Sequence, residues 1–141
     1  MTTIFKKGWI FPLTGIFCSL LLLSACKPAE TTEEAIERRV NERWALLIAE
    51  DYGSAYKYLS PGYRSSVSIA QYQRALYSSK ISWTAAMYDG SECSEDTCKV
   101  KILLDFTVYG ALPGVNSMDS SQQIEESWVK IDNDWYHVPE K

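Results

Sequence analysis

Among 141 residues there is one histidine, His137, with only seven glycines and five prolines. His137 is therefore the only side chain that ordinarily titrates near neutral pH. A single imidazole is also too few for the usual four-ligand zinc centre. No glycine-rich phosphate loop occurs, no serine sits in a nucleophile-elbow pattern, and no metal-cluster spacing is present. Internal repeats and low-complexity segments are absent too. Basic residues are outnumbered, 14 Lys and Arg against 18 Asp and Glu. Nucleic-acid affinity depends on Lys and Arg neutralising phosphates, so no nucleic-acid partner is expected. A polybasic membrane patch is not expected either. Neither a metal nor another cofactor is expected. The length suits one domain with a real but modest core.

What is present begins with one uncharged run. Lys6 and Lys7 precede residues 8–25, which carry no charge, and Cys26 follows. The order basic, apolar, small-residue site is that of a secretory signal. A membrane anchor is the alternative, though the run only just reaches spanning length. The tetrapeptide Leu23-Ser24-Ala25-Cys26 resembles the lipobox of bacterial lipoproteins. That resemblance implies cleavage of residues 1–25 before Cys26 and lipidation of Cys26. It implies a bacterial cell-envelope protein held in the membrane by acyl chains such as palmitate, each buried methylene contributing about 0.8 kcal/mol. Lys27 is not the aspartate typical of inner-membrane retention, which favours the outer membrane facing the periplasm. Loss of Lys6 and Lys7 with the leader takes the formal charge from −4 to −6. A tether over residues 26–30 leaves at most roughly 17 Å before the domain at 31–141.

Cys18 leaves with the leader and Cys26 takes lipid, so Cys93 and Cys98 remain. An exported compartment permits disulfides, and a bond between these two is expected. A metal site would want more ligands, and their spacing is not that of a redox C-x-x-C.

The domain opens helically. Thr31 and Glu34 form a capping-box pattern ahead of a helix to about Glu50. Ile36, Val40, Trp44, Leu47 and Ile48 form its apolar stripe, and Glu37, Arg38, Glu42 and Arg43 its solvated side. Asp51-Tyr52-Gly53 breaks this helix, and Asp51 is read as ending it. A short second helix is expected over 54–59, stopping at a Ser60-Pro61-Gly62 turn. Ser68 and Gln71 cap a third helix to about Tyr77. The tyrosines of this half are expected to be half-buried core residues with hydroxyls reaching out, or else to line a ligand pocket.

The second half alternates. Val100, Ile102, Leu104, Phe106 and Val108 share one face of a strand, with Lys101, Asp105 and Thr107 on the other. A preceding strand over 81–88 completes a hairpin. If Cys93 opposes Cys98, an unbroken ladder sets Trp83 against Val108, Ala85 against Phe106 and Met87 against Leu104. The apolar faces then coincide, which a one-residue slip would destroy. Residues 110–121 are read as an irregular connection. A last hairpin over 124–138 turns at Asp132-Asn133-Asp134. It shares Val129, Ile131, Tyr136 and Val138 on one face and Trp128, Lys130, Trp135 and His137 on the other.

Three N-terminal helices packed on a curved antiparallel sheet of about four strands make an α+β domain. With the ending Trp128-Val-Lys-Ile-Asp-Asn-Asp-Trp135-Tyr, this resembles the nuclear transport factor 2-like superfamily. The resemblance covers about residues 31–138 and implies helices packed into a cone formed by the sheet. A cystatin-like arrangement, one helix on a meander sheet, is the alternative. Members include isomerases and dehydratases with an acid or histidine in the cone, and non-catalytic binding modules, so fold leaves function open.

The residues favour no catalysis. His137 ends a strand beside Trp135, with Glu126 on the same face as its one candidate orienting carboxylate. Asp105 points away from the apolar face, and Asp51 is structural. The expected role is a binding or assembly module at the membrane surface, anchored by its lipid and partnered by another envelope protein. Leu112, Val115 and Met118 are the candidate partner loop, because loops rarely spend three apolar residues on solvent. The rival is a small-ligand carrier or an isomerase- or dehydratase-type enzyme, with Trp83, Phe106, Tyr56 and His137 as candidate pocket residues.

Overall fold

The computed structural model describes residues 30–140, apart from the side chains of residues 111 and 112. The leader, the lipobox with Cys26 and the tether before residue 30 lie outside the described residues.

One long helix, α1 (Thr32–Ile48), begins where its capping box predicts. The Glu34 backbone N–H donates to the Thr31 hydroxyl, and the Glu34 carboxylate accepts from the Thr31 N–H at 2.8 Å. That bonding holds the Glu34 carboxyl below its ordinary range. At the other end, the Glu50 N–H donates to Leu47 and the Asp51 N–H to Leu46. This is the Schellman pattern, reached without glycine: Glu50 itself takes φ 57°.

Three short helices follow: α2 (Tyr52–Ala55), α3 (Pro61–Ser66) and α4 (Ile69–Tyr77), with a 3₁₀ turn (Tyr56–Tyr58) after α2. So four α-helices, not three, precede the sheet among the described residues. The Ser60-Pro61-Gly62 segment starts a helix instead of stopping one. Ser60 is its N-cap and Pro61 its first residue, where the missing N–H would be unpaired anyway. Asp51 likewise caps the start of α2, accepting from the Ser54 N–H at 3.0 Å. That bonding lowers its carboxyl pKa. The Ser68–Gln71 capping box opens α4 as expected.

Four strands form one antiparallel meander in the order β1 (Ile81–Ser94), β2 (Thr97–Leu112), β3 (Val115–Ile131) and β4 (Asp134–Val138). Cys93 and Cys98 are disulfide-bonded across the β1–β2 tip. Beside that tip the register is the one the bond dictates, Glu92 opposite Lys99 and Ser91 opposite Val100. Two bulges on β1 then shift it, one between Tyr88 and Ser91 and one between Trp83 and Ala85. Gly90, at φ 105°, makes the first possible. Trp83 therefore opposes Phe106, Ala85 opposes Asp105, and Met87 opposes Leu103. Trp83, Ala86 and Tyr88 pack on the core, while Met87 is 61% exposed. An unbroken ladder was the wrong assumption, because each bulge inserts one residue and reverses the facing of those beyond it.

The irregular connection is instead a hairpin. β2 and β3 pair from Thr97 opposite Val129 as far as Leu112 opposite Val115, around a Pro113-Gly114 turn. Proline presets the first corner and Gly114, at φ 80°, supplies the second. The last hairpin turns tightly on Asp132 and Asn133, both at positive φ as a type I′ turn requires.

The core lies between the helices and one sheet face. Ile36, Val40, Trp44 and Leu47 of α1 meet Val100, Ile102 and Leu104 of β2 there. Burying each such large side chain contributes about 1.5–3 kcal/mol. Trp44 and Trp83 meet edge to face, ring centroids 5.6 Å apart.

Candidate functional site

Where β3 and β4 meet α1, the core contains charge. Glu126 and Trp128 of β3, His137 of β4 and Arg43 of α1 are all buried. Alternation along β3 aims Glu126 and Trp128 at the helices, and the β3–β4 register sets Trp128 opposite His137. Arg43 belongs to the stripe, not to the solvated side: it stands seven residues after Ile36 and three after Val40. That spacing was the available signal, overridden by the residue's charge.

The Arg43 guanidinium donates to Glu126 Oε1 at 2.7 Å, and the Trp128 indole N–H donates to Glu126 Oε2 at 3.0 Å. His137 Nε2 lies 3.8 Å from the same Oε1. Burial, with the Arg43 charge second, pushes the His137 pKa down to about 2. Among the described residues the imidazole Nδ1 has no hydrogen-bond partner. Burial raises the pKa of the Tyr72 hydroxyl, with Arg43 opposing. His137 is thus neutral near pH 7 and a feeble base, because a conjugate acid of pKa about 2 removes protons poorly. Its backbone is employed structurally: the Ser60 N–H donates to the His137 carbonyl at 2.8 Å, tying the start of α3 to the edge of the sheet.

The candidate pocket residues are distributed through the packed interior. Trp83 and Phe106 oppose each other on β1 and β2 and pack against the core. Tyr56 leans on Tyr72 at 5.6 Å and donates its hydroxyl to the Val67 carbonyl at 2.7 Å. His137 belongs to the charged set described above. The partner-loop residues are ordered differently from expectation: Val115 and Met118 lie on strand β3, 40% and 46% exposed, and Leu112 ends β2. Asp105 sits on the outer face, bonded to the Ser121 hydroxyl. Among the described residues no three His, Cys, Asp or Glu side chains are grouped to hold a metal.

The outer face carries a groove of about 770 Å³ near the disulfide. Thr97, Lys99, Ser127, Val129, Ile131 and Val138 line it. It left no distinct sign in the sequence, where Val129, Ile131 and Val138 form one apolar hairpin face of the kind a core also uses.

No protein-family model matches the chain, and no curated protein sequence does. Solved structures do. A SEC-C motif containing protein from Rhodopseudomonas palustris superposes with TM-score 0.59 at 14% identity, covering 74% of this chain and 76% of that one. A second SEC-C motif containing protein, from Psychrobacter arcticus, gives 0.58 at 14%, covering 76% of this chain and 60% of that one. The Ntf2-like, potential transfer protein TraM from the Gram-positive conjugative plasmid pIP501 gives 0.52 at 15%, covering 75% and 89%. Likeness at this identity concerns the backbone alone. The chain has a nuclear transport factor 2-like α+β fold, helices laid against one face of a four-stranded antiparallel sheet.

Proposed function

We propose that this chain is a lipid-anchored envelope protein whose domain acts, without catalysis, as a binding or assembly module at the membrane surface. The observation that supports the non-catalytic reading is the buried, mutually hydrogen-bonded Arg43–Glu126–Trp128 set around a neutral His137. The one imidazole is spent inside the fold. What the domain offers to other molecules is outside: the groove on the outer sheet face and the exposed strand β3. The lipobox and Lys27 support anchoring at the outer membrane, facing the periplasm, beside partners already at that surface.

Metabolic labelling with a palmitate analogue tests the anchor. The full chain should label and fractionate with membranes, and Cys26→Ser should do neither. Normal labelling and anchoring of Cys26→Ser would refute the lipobox. A second reading, a small-ligand carrier, is favoured by the groove, whose volume suits a small molecule. Native mass spectrometry of the purified chain decides between them. A stoichiometric small molecule that is lost on Val129→Glu substitution in the groove would establish the carrier.

A further inference from the structure

β3 is much longer than the strand beside it. β4 pairs only with residues 127–131, its last pair being Ser127 opposite Val138. Among the described residues, 115–126 have β2 on one side and no strand on the other, and residues 115–123 are all exposed. The direction of the unpaired groups follows from the turn. Ile131 and Asp134 close a two-residue turn, so odd-numbered β3 residues direct N–H and C=O toward β4. Consistently, the even-numbered Lys130 donates its N–H the other way, to the Asp96 carbonyl at 2.8 Å. Beyond Ser127 the odd residues 117 to 125 therefore present their backbone groups to open solvent.

Natural sheets blunt such edges with lysine, proline or a covering element. Residues 115–126 contain no lysine, arginine or proline. Their side chains also lean away from the edge. Asp119 accepts from Thr107 at 2.7 Å, Ser121 and Gln123 donate to Asp105 and Asp89, and Glu125 pairs with Lys99 at 3.1 Å. Among the described residues no strand covers this edge.

We propose that the β3 edge is an interface for a second copy of this chain, paired antiparallel about Ser121 to join two sheets into one. The choice of partner comes from complementarity of the edge with itself. Backbone parity allows only registers that set odd residues opposite odd. Centring on Asp119 opposes that acid to its own copy, and centring on Gln122 opposes Asp119 to Glu125; both are repulsive. Centring on Ser120 sets Met118 against Gln122 and Val115 against Glu125. Centring on Ser121 sets Met118 against Ile124, Asp119 against Gln123 and Glu125 against Ser117. Like then meets like and each acid meets a neutral polar group. Ser121 is also the midpoint of residues 116–126, the stretch left free once β4 ends. Five residues on each copy would supply about ten backbone hydrogen bonds. The inference names the partner of the assembly reading, and the edge geometry itself does not depend on the lipid.

Ser121→Cys in the full chain, expressed in cells and run on non-reducing gels, tests the register. Opposed hydrogen-bonded residues lie about 5.5 Å apart at Cα, within disulfide reach. The expected result is a covalent dimer at least about ten-fold more abundant than with Ser117→Cys, whose copies would sit roughly 27 Å apart. Gln123→Pro, added to Ser121→Cys, removes an outward N–H within the proposed pairing without touching the β2 ladder. It should abolish the dimer while leaving the circular dichroism unchanged. A monomeric Ser121→Cys with a freely labelled thiol overturns the proposal by showing an open edge. A monomeric form whose thiol labels only after denaturation overturns it in favour of a foreign strand. A membrane-bound chain without the cross-link sinks the edge alone, and a cross-linked chain released from membranes sinks the anchor alone.

Discussion

Glu126→Leu is the sharpest test of the buried charge. Glu126 accepts from Arg43 at 2.7 Å and from Trp128 at 3.0 Å, and it is 5% exposed. Leucine removes a charge-assisted bond contributing about 1.5–3 kcal/mol and strands the Trp128 N–H at about 1–3 kcal/mol. Together these agree with the loss of about 3–5 kcal/mol seen when one partner of a buried pair is removed. That is a third or more of the stability of an average domain. With a urea m-value near 2 kcal/mol/M, the unfolding midpoint should fall by about 2 M. Arg43→Met made together with Glu126→Leu removes both charges, and the double variant should recover most of the loss. Urea titrations of the two single variants, the double variant and the parent complete a double-mutant cycle. A loss below about 1 kcal/mol for Glu126→Leu, or a double variant no better than the single, would refute the description of this pair as mutually dependent.

Three further outcomes are expected. Since the folded-state pKa of His137 is depressed to about 2, the unfolded chain binds the extra proton below its own pKa near 6.5. Stability should therefore fall by about 1.2 kcal/mol as pH drops from 6 to 5, before carboxylates contribute. His137→Gln should abolish that slope, and an unchanged slope would assign it elsewhere. Glu50→Gly relieves a non-glycine residue at φ 57° in the C-terminal turn of α1; thermal unfolding should show a gain of about 1 kcal/mol. Reducing the Cys93–Cys98 bond, which closes a small loop, should cost only about 2 kcal/mol and leave the circular dichroism native.

Local signals were legible where they are chemically local. The Thr31 and Ser68 capping boxes, the alternation of Val100, Ile102 and Leu104, and the Asp132-Asn133 turn all appear where their residue types require them. Ser60-Pro61-Gly62 misled because proline favours a turn and the first turn of a helix for the same reason, a preset φ and no N–H. The polar stretch from Asn116 to Gln123 carries no alternation, because both its faces are exposed, so periodicity had nothing to report. Its strand character comes from pairing with β2.

The sequence by itself determined the capped starts of α1 and α4, the alternation of β2, the tight last turn and the disulfide, since these depend on residues a few positions apart. Tertiary structure alone decided the bulged register of β1, the extension of the β2–β3 hairpin and the burial of Arg43. Each depends on what lies across from a residue once the chain has folded. A bulge changes which strand partner a side chain meets, and Arg43 tolerates burial only because Glu126, distant in sequence, is delivered to it at 2.7 Å. A buried charge is affordable only when its counter-charge arrives with the fold.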